Sequence, residues 1–428
     1  MRILLINQYA GGSPYGMEYR PYHLATEWQR LGHTVTIVGG TYSHLRLRNP
    51  AATDLSAPEN VDSIPTIWLP VPAYGGNGVS RARNILAFSV RLLKDSRRLA
   101  RLIKPDLVIT SSTHPLDIYG GMRVARLAGA ALVHEVHDLW PLTLVEIGGI
   151  PRWNPFVVLL QAAEDHAYRK ADRVVSMLPA ALPHMEKHGL SRARFVYVPN
   201  GVAVEEWQRL TPVPSEHVEV LGRIEAVSGF IVGYAGGFAL SNDLGSLIAS
   251  LDYVDRSDVH LVLVGKGERR RDLEDRYAGP RVSFLPPIPK AAIPSLLVRF
   301  DACFLGMKRS PLYRFGVNPN KMFDYMMAAR PIISAIHATN DPVTESGAGL
   351  TVSPEDPRGI AHAIEVLASE SADERRRRGE RGRRYVLEHH DYRILAARFL
   401  EGLNSGASTR ARRSAEGSFA TDSGDLPG

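Results

Sequence analysis

A single cysteine, Cys303, among 428 residues leaves no partner for an intramolecular disulfide. That excludes a disulfide-stapled scaffold and fits a reducing compartment. Long apolar runs are also missing. No stretch reaches the ~18 residues of a bilayer-spanning helix, and the longest candidate, FVVLLQAAEDHAYRKADRVV, soon meets Glu164 and Asp165. The opening MRILLINQYA is too short for a signal peptide and lacks a small-residue cleavage site. These absences predict a cytoplasmic protein. Basic and aromatic residues do not interleave, so a net charge of +6 does not by itself point to nucleic acid. A face beside anionic lipid headgroups uses the same charge. DSRRLARLIK, from Asp95 to Lys104, has the pattern of a basic amphipathic helix, with an ordinary solvated face as the alternative.

What is present is ordinary for a globular protein: 44% hydrophobic and 22% charged residues. The length exceeds one core, so two domains are expected. Short β-branched runs alternate with helical stretches: RILLIN, TVTIVGG, IPTIWLP, DLVITSS, ALVHEVHD, RVVSM and FVYVP. The theme restarts at FIVGYAGG and continues through VHLVLVGKG, VSFLPPI, DACFLGM and PIISAI. Strands joined by helices imply two doubly wound parallel sheets, with ligands bound in a cleft beyond the carboxyl ends of their strands. The expected domains are residues 1–203 and 204–384, joined through a Pro-rich, weakly periodic linker. A final helix at about 385–403 crosses back, and a Ser/Gly/Ala-rich tail, 404–428, is expected to be disordered.

Four stretches carry candidate chemistry. After the first strand, QYAGGSPYGMEYRP brings glycines, including Gly16, to the start of a helix, where free N–H groups suit a phosphate. A plain turn is the alternative. Glu18 and Arg20 open that helix; they either contact an acceptor or pair with each other. HEVHDLWP places His137 and Asp138 at the end of a strand as a candidate hydrogen-bonding pair near a sugar. His134 and His137, three apart on a strand, face opposite ways and do not share a metal. Gly236, Gly237 and Lys266 stand on two strand–turn–helix junctions; Lys266 is either a phosphate contact or an exposed turn lysine.

The fourth stretch is NPNKMFDYMMAARP. Pro319 starts a helix predicted to run to Ala329. The N–H groups of Asn320, Lys321 and Met322 would meet a diphosphate, and Asp324, on the face of Lys321, would accept from ribose hydroxyls. The alternative is a surface ion pair between Lys321 and Asp324, which sits poorly on so apolar a helix.

Taken together, NQYAGGSPYGMEYRPYHLATEWQRLGHTVTIVGG with SHLR, HEVHDLWP, YVPNGV, NPNKMFDYMMAARPII and GLTVSPEDP resemble family-four glycosyltransferases of the GT-B architecture. The nearest branch transfers N-acetylated amino or deoxyamino sugars in bacterial O-antigen or capsule assembly. The resemblance implies retaining transfer from a nucleoside diphosphate sugar, with UDP the expected carrier and no metal or other cofactor. It makes a lipid-linked saccharide the expected acceptor, with work at the inner membrane face, while the charge pattern leaves no nucleic-acid partner expected. It sets Asp324 where the family's last motif glutamate binds ribose, and His137 where an active-site histidine meets the donor sugar. Two departures stand out. The family's first motif glutamate falls at Gly316, and its Arg…Lys pair falls at Gly237 and Asn242. Lys321 and Lys266 are then the candidates to neutralise the diphosphate. Two rival functions fit the same cleft: a sugar-nucleotide epimerase, and a non-catalytic nucleotide-sugar-binding protein. A dehydrogenase is weaker, because G-x-G-x-x-G and its acidic partner are absent.

Overall fold

The β-branched runs assemble into two separate parallel sheets. The structure is a computed structural model that describes residues 1–16, 19–44, 46–76, 78–227 and 229–404. The expected disordered tail lies outside the described residues from 405 onward, and so does Glu18. The chain divides into two units. One holds Met1–Pro199 and the segment from Leu395; the other is Asn200–Ile394.

The first unit contains β1 (Arg2–Ile6), β2 (Thr34–Gly40), β3 (Glu59–Val61), β4 (Ile64–Leu69), β5 (Leu107–Thr110), β6 (Ala131–Val136), β7 (Arg173–Ser176) and β8 (Phe195–Tyr197). Their order is β3-β4-β2-β1-β5-β6-β7-β8. Only β3 runs antiparallel, through a hairpin whose turn residues Asp62 and Ser63 both take positive φ, as a tight twisted hairpin requires. Helices α1 (Tyr19–Arg30), α2 (Val79–Ile103) and α3 (Asp117–Ala128) belong to this unit. The helix Tyr392–Asn404 supplies its last piece: Trp28 Nε1 donates to Ala396 O at 3.1 Å, and its ring meets that of Phe399 edge-on.

The second unit contains β9 (Phe230–Gly237), β10 (Val259–Lys266), β11 (Val282–Leu285), β12 (Ala302–Gly306), β13 (Ile332–Ala335) and β14 (Gly349–Thr351). They form a six-stranded parallel sheet in the order β11-β10-β9-β12-β13-β14. Central strands such as β1, β10 and β12 are almost wholly buried, which is why they read as continuous apolar runs rather than alternations. Cys303 lies in this core on β12.

In each sheet the winding reverses once, between β1 and β5 in the first and between β9 and β12 in the second. The carboxyl ends of strands at such a reversal are open to a ligand, because the flanking helices diverge there. Among the described residues no helix is long and apolar enough to cross a membrane.

Candidate active site

In the second unit, Gly236 and Gly237 are the last two residues of β9, paired with Gly265 and Lys266 of β10. Across the reversal point, the helix Asn320–Met327 directs its first turn at that strand end. Its apolar face (Met322, Phe323, Tyr325, Met326 and Met327) is buried in the core, so Lys321 and Asp324 fall on the remaining face. Lys321 Nζ donates to Asn242 Oδ1 at 2.8 Å and to Tyr234 Oη at 3.1 Å, and lies 4.9 Å from the centre of the Tyr234 ring. Asn242 Nδ2 and Tyr234 Oη both donate to Gly237 O. Gly236 lets the Lys321 stem come close, since a Cβ there would lie 2.8 Å from it and 3.0 Å from Tyr234 Oη. Burial pushes the Lys321 ammonium down to about 8.

This arrangement removes the surface ion pair as an account of the stretch, because Lys321 and Asp324 do not pair. Asp324 makes no side-chain hydrogen bond or ion pair among the described residues. It is half-buried, and the protein packed around it pushes its carboxyl up to about 6, with Lys290 pulling the other way. An acceptor with two free oxygens therefore stands about one turn from an ammonium group at a helix start. Asn320 is exposed, and its Oδ1 accepts from Asn200 Nδ2, which ties the helix start to the beginning of the unit. Tyr392 Oη and His390 Nδ1 hold Asn200 from the other side, and His390 lies against Phe323.

Two details differ from the sequence-based expectation. The helix ends at Met327, with Ala328 as its cap and Ala329 in the left-handed region, rather than running through Ala329. The Met322 N–H is also already spent on Pro319 O at 3.0 Å, so the helix start offers only the Asn320 and Lys321 N–H groups. Lys266 is exposed at the end of β10, in register with Gly237, and makes no side-chain bond among the described residues.

In the first unit, the carboxyl ends of β1, β5 and β6 bring a polar cluster together. Glu135, fully buried at 0% exposure, lies at its centre. Arg20 donates to Glu135 Oε1 through Nε at 3.1 Å and Nη2 at 2.9 Å, and caps Pro199 O and Val198 O with its remaining donors. Ser111 Oγ donates to Glu135 Oε2 at 2.6 Å. His137 Nε2 is 2.9 Å from Ser111 Oγ and 3.3 Å from Glu135 Oε2. Burial alone would raise the Glu135 carboxyl, but the Arg20 guanidinium, His137 and Ser111 together hold it well below the usual carboxylate range.

Arg20 is thus corrected from acceptor contact to internal counter-ion. It is 4% exposed, and its fork is committed to Glu135 and two backbone carbonyls. To the expected pairing of His137 with Asp138 the structure adds further partners for His137. His137 turns Nε2 toward Ser111 and Glu135, and its charge still acts on the Asp138 carboxyl just beyond the strand, against the upward push of burial. His134 takes a separate partner, Thr110 Oγ1 at 2.9 Å. Spacing puts Glu135 in the strand-end cluster but does not disclose Ser111 or Arg20 as its partners, although a carboxylate inside a buried parallel strand demands a counter-ion. A second buried carboxyl nearby, Asp117 at the start of α3, accepts the Ser112 N–H at 3.0 Å and has its pKa pushed up by burial to about 7.

The loop after β1 takes a fixed shape. Gly16 adopts φ +69, and a Cβ there would press on Leu47 at 3.1 Å. Arg46, the last residue of the SHLR stretch, braces the loop by donating to Ala10 O and Gly40 O. One group has metal-ligand spacing: Glu164, Asp165 and His188 bring ligand atoms within 4.8 Å of one another. Gln161 Nε2 already bonds both carboxylates at 2.8 Å, and His188 Nδ1 lies 2.9 Å from Asp165, so these groups satisfy each other.

Comparison with known proteins decides the class. Residues 15–201 match the glycosyl transferase 4-like domain, and residues 229–370 match the glycosyl transferases group 1 domain. The chain is a glycosyltransferase. It is 23% identical over 300 residues, 68% of this chain and 71% of the other, to the probable glycosyltransferase WbjE of Pseudomonas aeruginosa. Its fold is similar to that of Anabaena HepE, solved with UDP-glucose, at TM-score 0.64 and 16% identity, covering 94% of this glycosyltransferase and 99% of HepE. WaaG, a glycosyltransferase involved in lipopolysaccharide biosynthesis, matches at TM-score 0.62 and 12% identity, over 92% and 97% of the two chains. The two Rossmann-like parallel-sheet units are those of the GT-B fold.

Proposed function

We propose that this glycosyltransferase moves an N-acetylated amino or deoxyamino hexose, with retention, from a UDP carrier to a lipid-linked saccharide in surface-polysaccharide assembly. The observation that carries the donor half is the unpartnered Asp324 carboxylate on one helical face with Lys321. Asp324 accepts from ribose hydroxyls. Lys321 and the Asn320 and Lys321 N–H groups take the diphosphate. HepE, whose structure holds UDP-glucose, supports a uridine carrier, and the described role of WaaG supports a surface-polysaccharide setting.

In the transfer, the bond from the anomeric carbon to the β-phosphate oxygen breaks. The acceptor hydroxyl oxygen bonds that carbon, and its proton passes to the departing diphosphate. Charge grows on the diphosphate as the bond stretches, and a fixed ammonium beside it lowers the barrier without having to reorganise. On this reading the positive charge comes from the protein, and no metal is required. We assign His137 of the first unit, which Ser111 and Glu135 hold in one orientation, to the sugar and acceptor. The protein works as a peripheral enzyme at the cytoplasmic membrane face.

Titration with UDP, GDP, ADP and CMP tests the donor assignment. UDP is expected to bind, and Asp324→Ala to weaken it by roughly 10- to 100-fold, the loss of one or two charge-assisted bonds. The carboxylate exists above its pKa, so wild-type binding should weaken as pH falls below about 6. Equal affinity of Asp324→Ala and wild type at pH 7.5 would remove Asp324 from the site.

A further inference from the structure

The outer face of α2 carries an unusual combination of side chains. Its inner side, with Ile85, Phe88, Leu92 and Leu99, is buried in the first unit. The outer side follows the helical steps 79, 83, 86, 90, 93, 97 and 101 and reads Val, Arg, Leu, Val, Leu, Arg, Arg. Val79 is 87% exposed and Val90 49%, and Leu86 and Leu93 are exposed with them. Cations flank this aliphatic strip. Arg91 and Arg98 are neutralised by Asp95 and Asp54. Arg83, Lys94, Arg97, Arg101 and Lys104 meet no carboxylate among the described residues.

At the carboxyl end of the helix, Arg97, Arg101 and Lys104 edge an open groove of about 470 Å³ floored by Ala100, Leu127 and Ala128. The fourth cation there, Arg2, is already paired to Asp106 at 3.0 Å.

We propose that this face docks the protein onto a bilayer of anionic phospholipid, with the Leu86–Val90–Leu93 strip entering the headgroup boundary and the groove cations taking lipid phosphates. Each half of the face needs the other half's partner. Unpaired cations alone would suit any polyanion. Exposed aliphatic side chains between them lose free energy in water and gain nothing from a nucleic-acid backbone, and no aromatic ring interleaves with them for base stacking. An interfacial helix needs both at once: an apolar strip that buries shallowly, and long basic side chains that reach the phosphates on either side. A second copy of the same face would set like charges against each other. The C-terminal sequence, with Arg410, Arg412 and Arg413, is also a poor match in charge. The proposal gives a location to the membrane contact assumed above, but it rests on residues separate from the donor site.

The test is sedimentation of the full chain with vesicles of phosphatidylcholine containing roughly a quarter phosphatidylglycerol, with no nucleotide sugar or acceptor present. The wild type should bind, lose affinity as salt rises, and ignore pure phosphatidylcholine. Val90→Ser/Leu93→Ser and Arg83→Gln/Arg97→Gln/Arg101→Gln should each lower the vesicle partition coefficient at least about 10-fold, with near-ultraviolet circular dichroism unchanged. UDP binding is measured on the same samples, so a failure of the donor assignment shows separately. The proposal is overturned by no wild-type binding to the anionic vesicles, by full binding by both variants, which places the contact elsewhere on the chain, or by tighter binding to a DNA duplex than to vesicles. Self-association through this face without vesicle binding would overturn it equally.

Discussion

Replacing Lys321 with methionine is expected to lower kcat/KM for sugar transfer by at least about 10²-fold, the usual loss when one fixed group that stabilises transition-state charge is removed. Methionine is the informative substitution because the stem of Lys321 packs against Tyr234 and Gly236, and alanine would add a packing loss to the charge loss. The fold should tolerate the change. The ammonium is desolvated in the folded state and has no carboxylate partner, so its removal leaves no orphaned charge. The pH dependence gives a second test. A lysine is charged below its pKa, and that of Lys321 is about 8, so wild-type kcat/KM should fall as pH rises through about 8. The methionine variant should lack that limb. A variant with wild-type rate, or one with the same alkaline limb, would show that Lys321 is not the group that meets the diphosphate.

The same lysine shows how much the sequence disclosed. Spacing placed Lys321 and Asp324 on one face, and the apolar neighbours fixed which face was buried, because helical geometry alone carries that information. The partners of Lys321 did not follow from spacing. Asn242 and Tyr234 lie 79 and 87 positions away and arrive through the β9 turn. Tertiary contact also brings a cation to a position where the resemblance expects one. The position where the family lysine is expected holds Asn242, and its side-chain oxygen touches the Lys321 ammonium. A cation therefore stands at that strand end without a lysine at position 242. The β3–β4 hairpin escaped notice for a local reason: Asp62–Ser63 lacks the glycine that usually marks such a turn. Arg20 departs from the usual pattern, in which a charged residue at a helix start is solvated. Only the sheet order, which sets β1 beside β5 and β5 beside β6, brings Glu135 within its reach.

That buried pair yields the other large effect. Arg20→Met is expected to destabilise the first unit by about 3–5 kcal/mol, since it leaves Glu135 charged in the core without its counter-ion. Removing both charges in Arg20→Met/Glu135→Leu should recover much of that stability, because the penalty arises from the orphaned charge rather than from lost packing. Transfer activity should not recover with it, since the Glu135 contact that orients His137 is gone. The sign of the pH dependence distinguishes this account from a simple packing defect. In the wild type the Glu135 carboxyl is depressed when folded, so its stabilisation is complete above the unfolded pKa and is lost only as pH falls well into the acid range. In Arg20→Met, burial is left as the main influence and raises the folded pKa above the unfolded one. The folded variant then binds the extra proton, and its deficit relative to wild type should shrink as pH falls from about 8 to about 5. Urea unfolding at several pH values measures this directly. A deficit that stays constant or widens over that range would mean that Glu135 does not carry the buried charge on which the pairing with Arg20 depends.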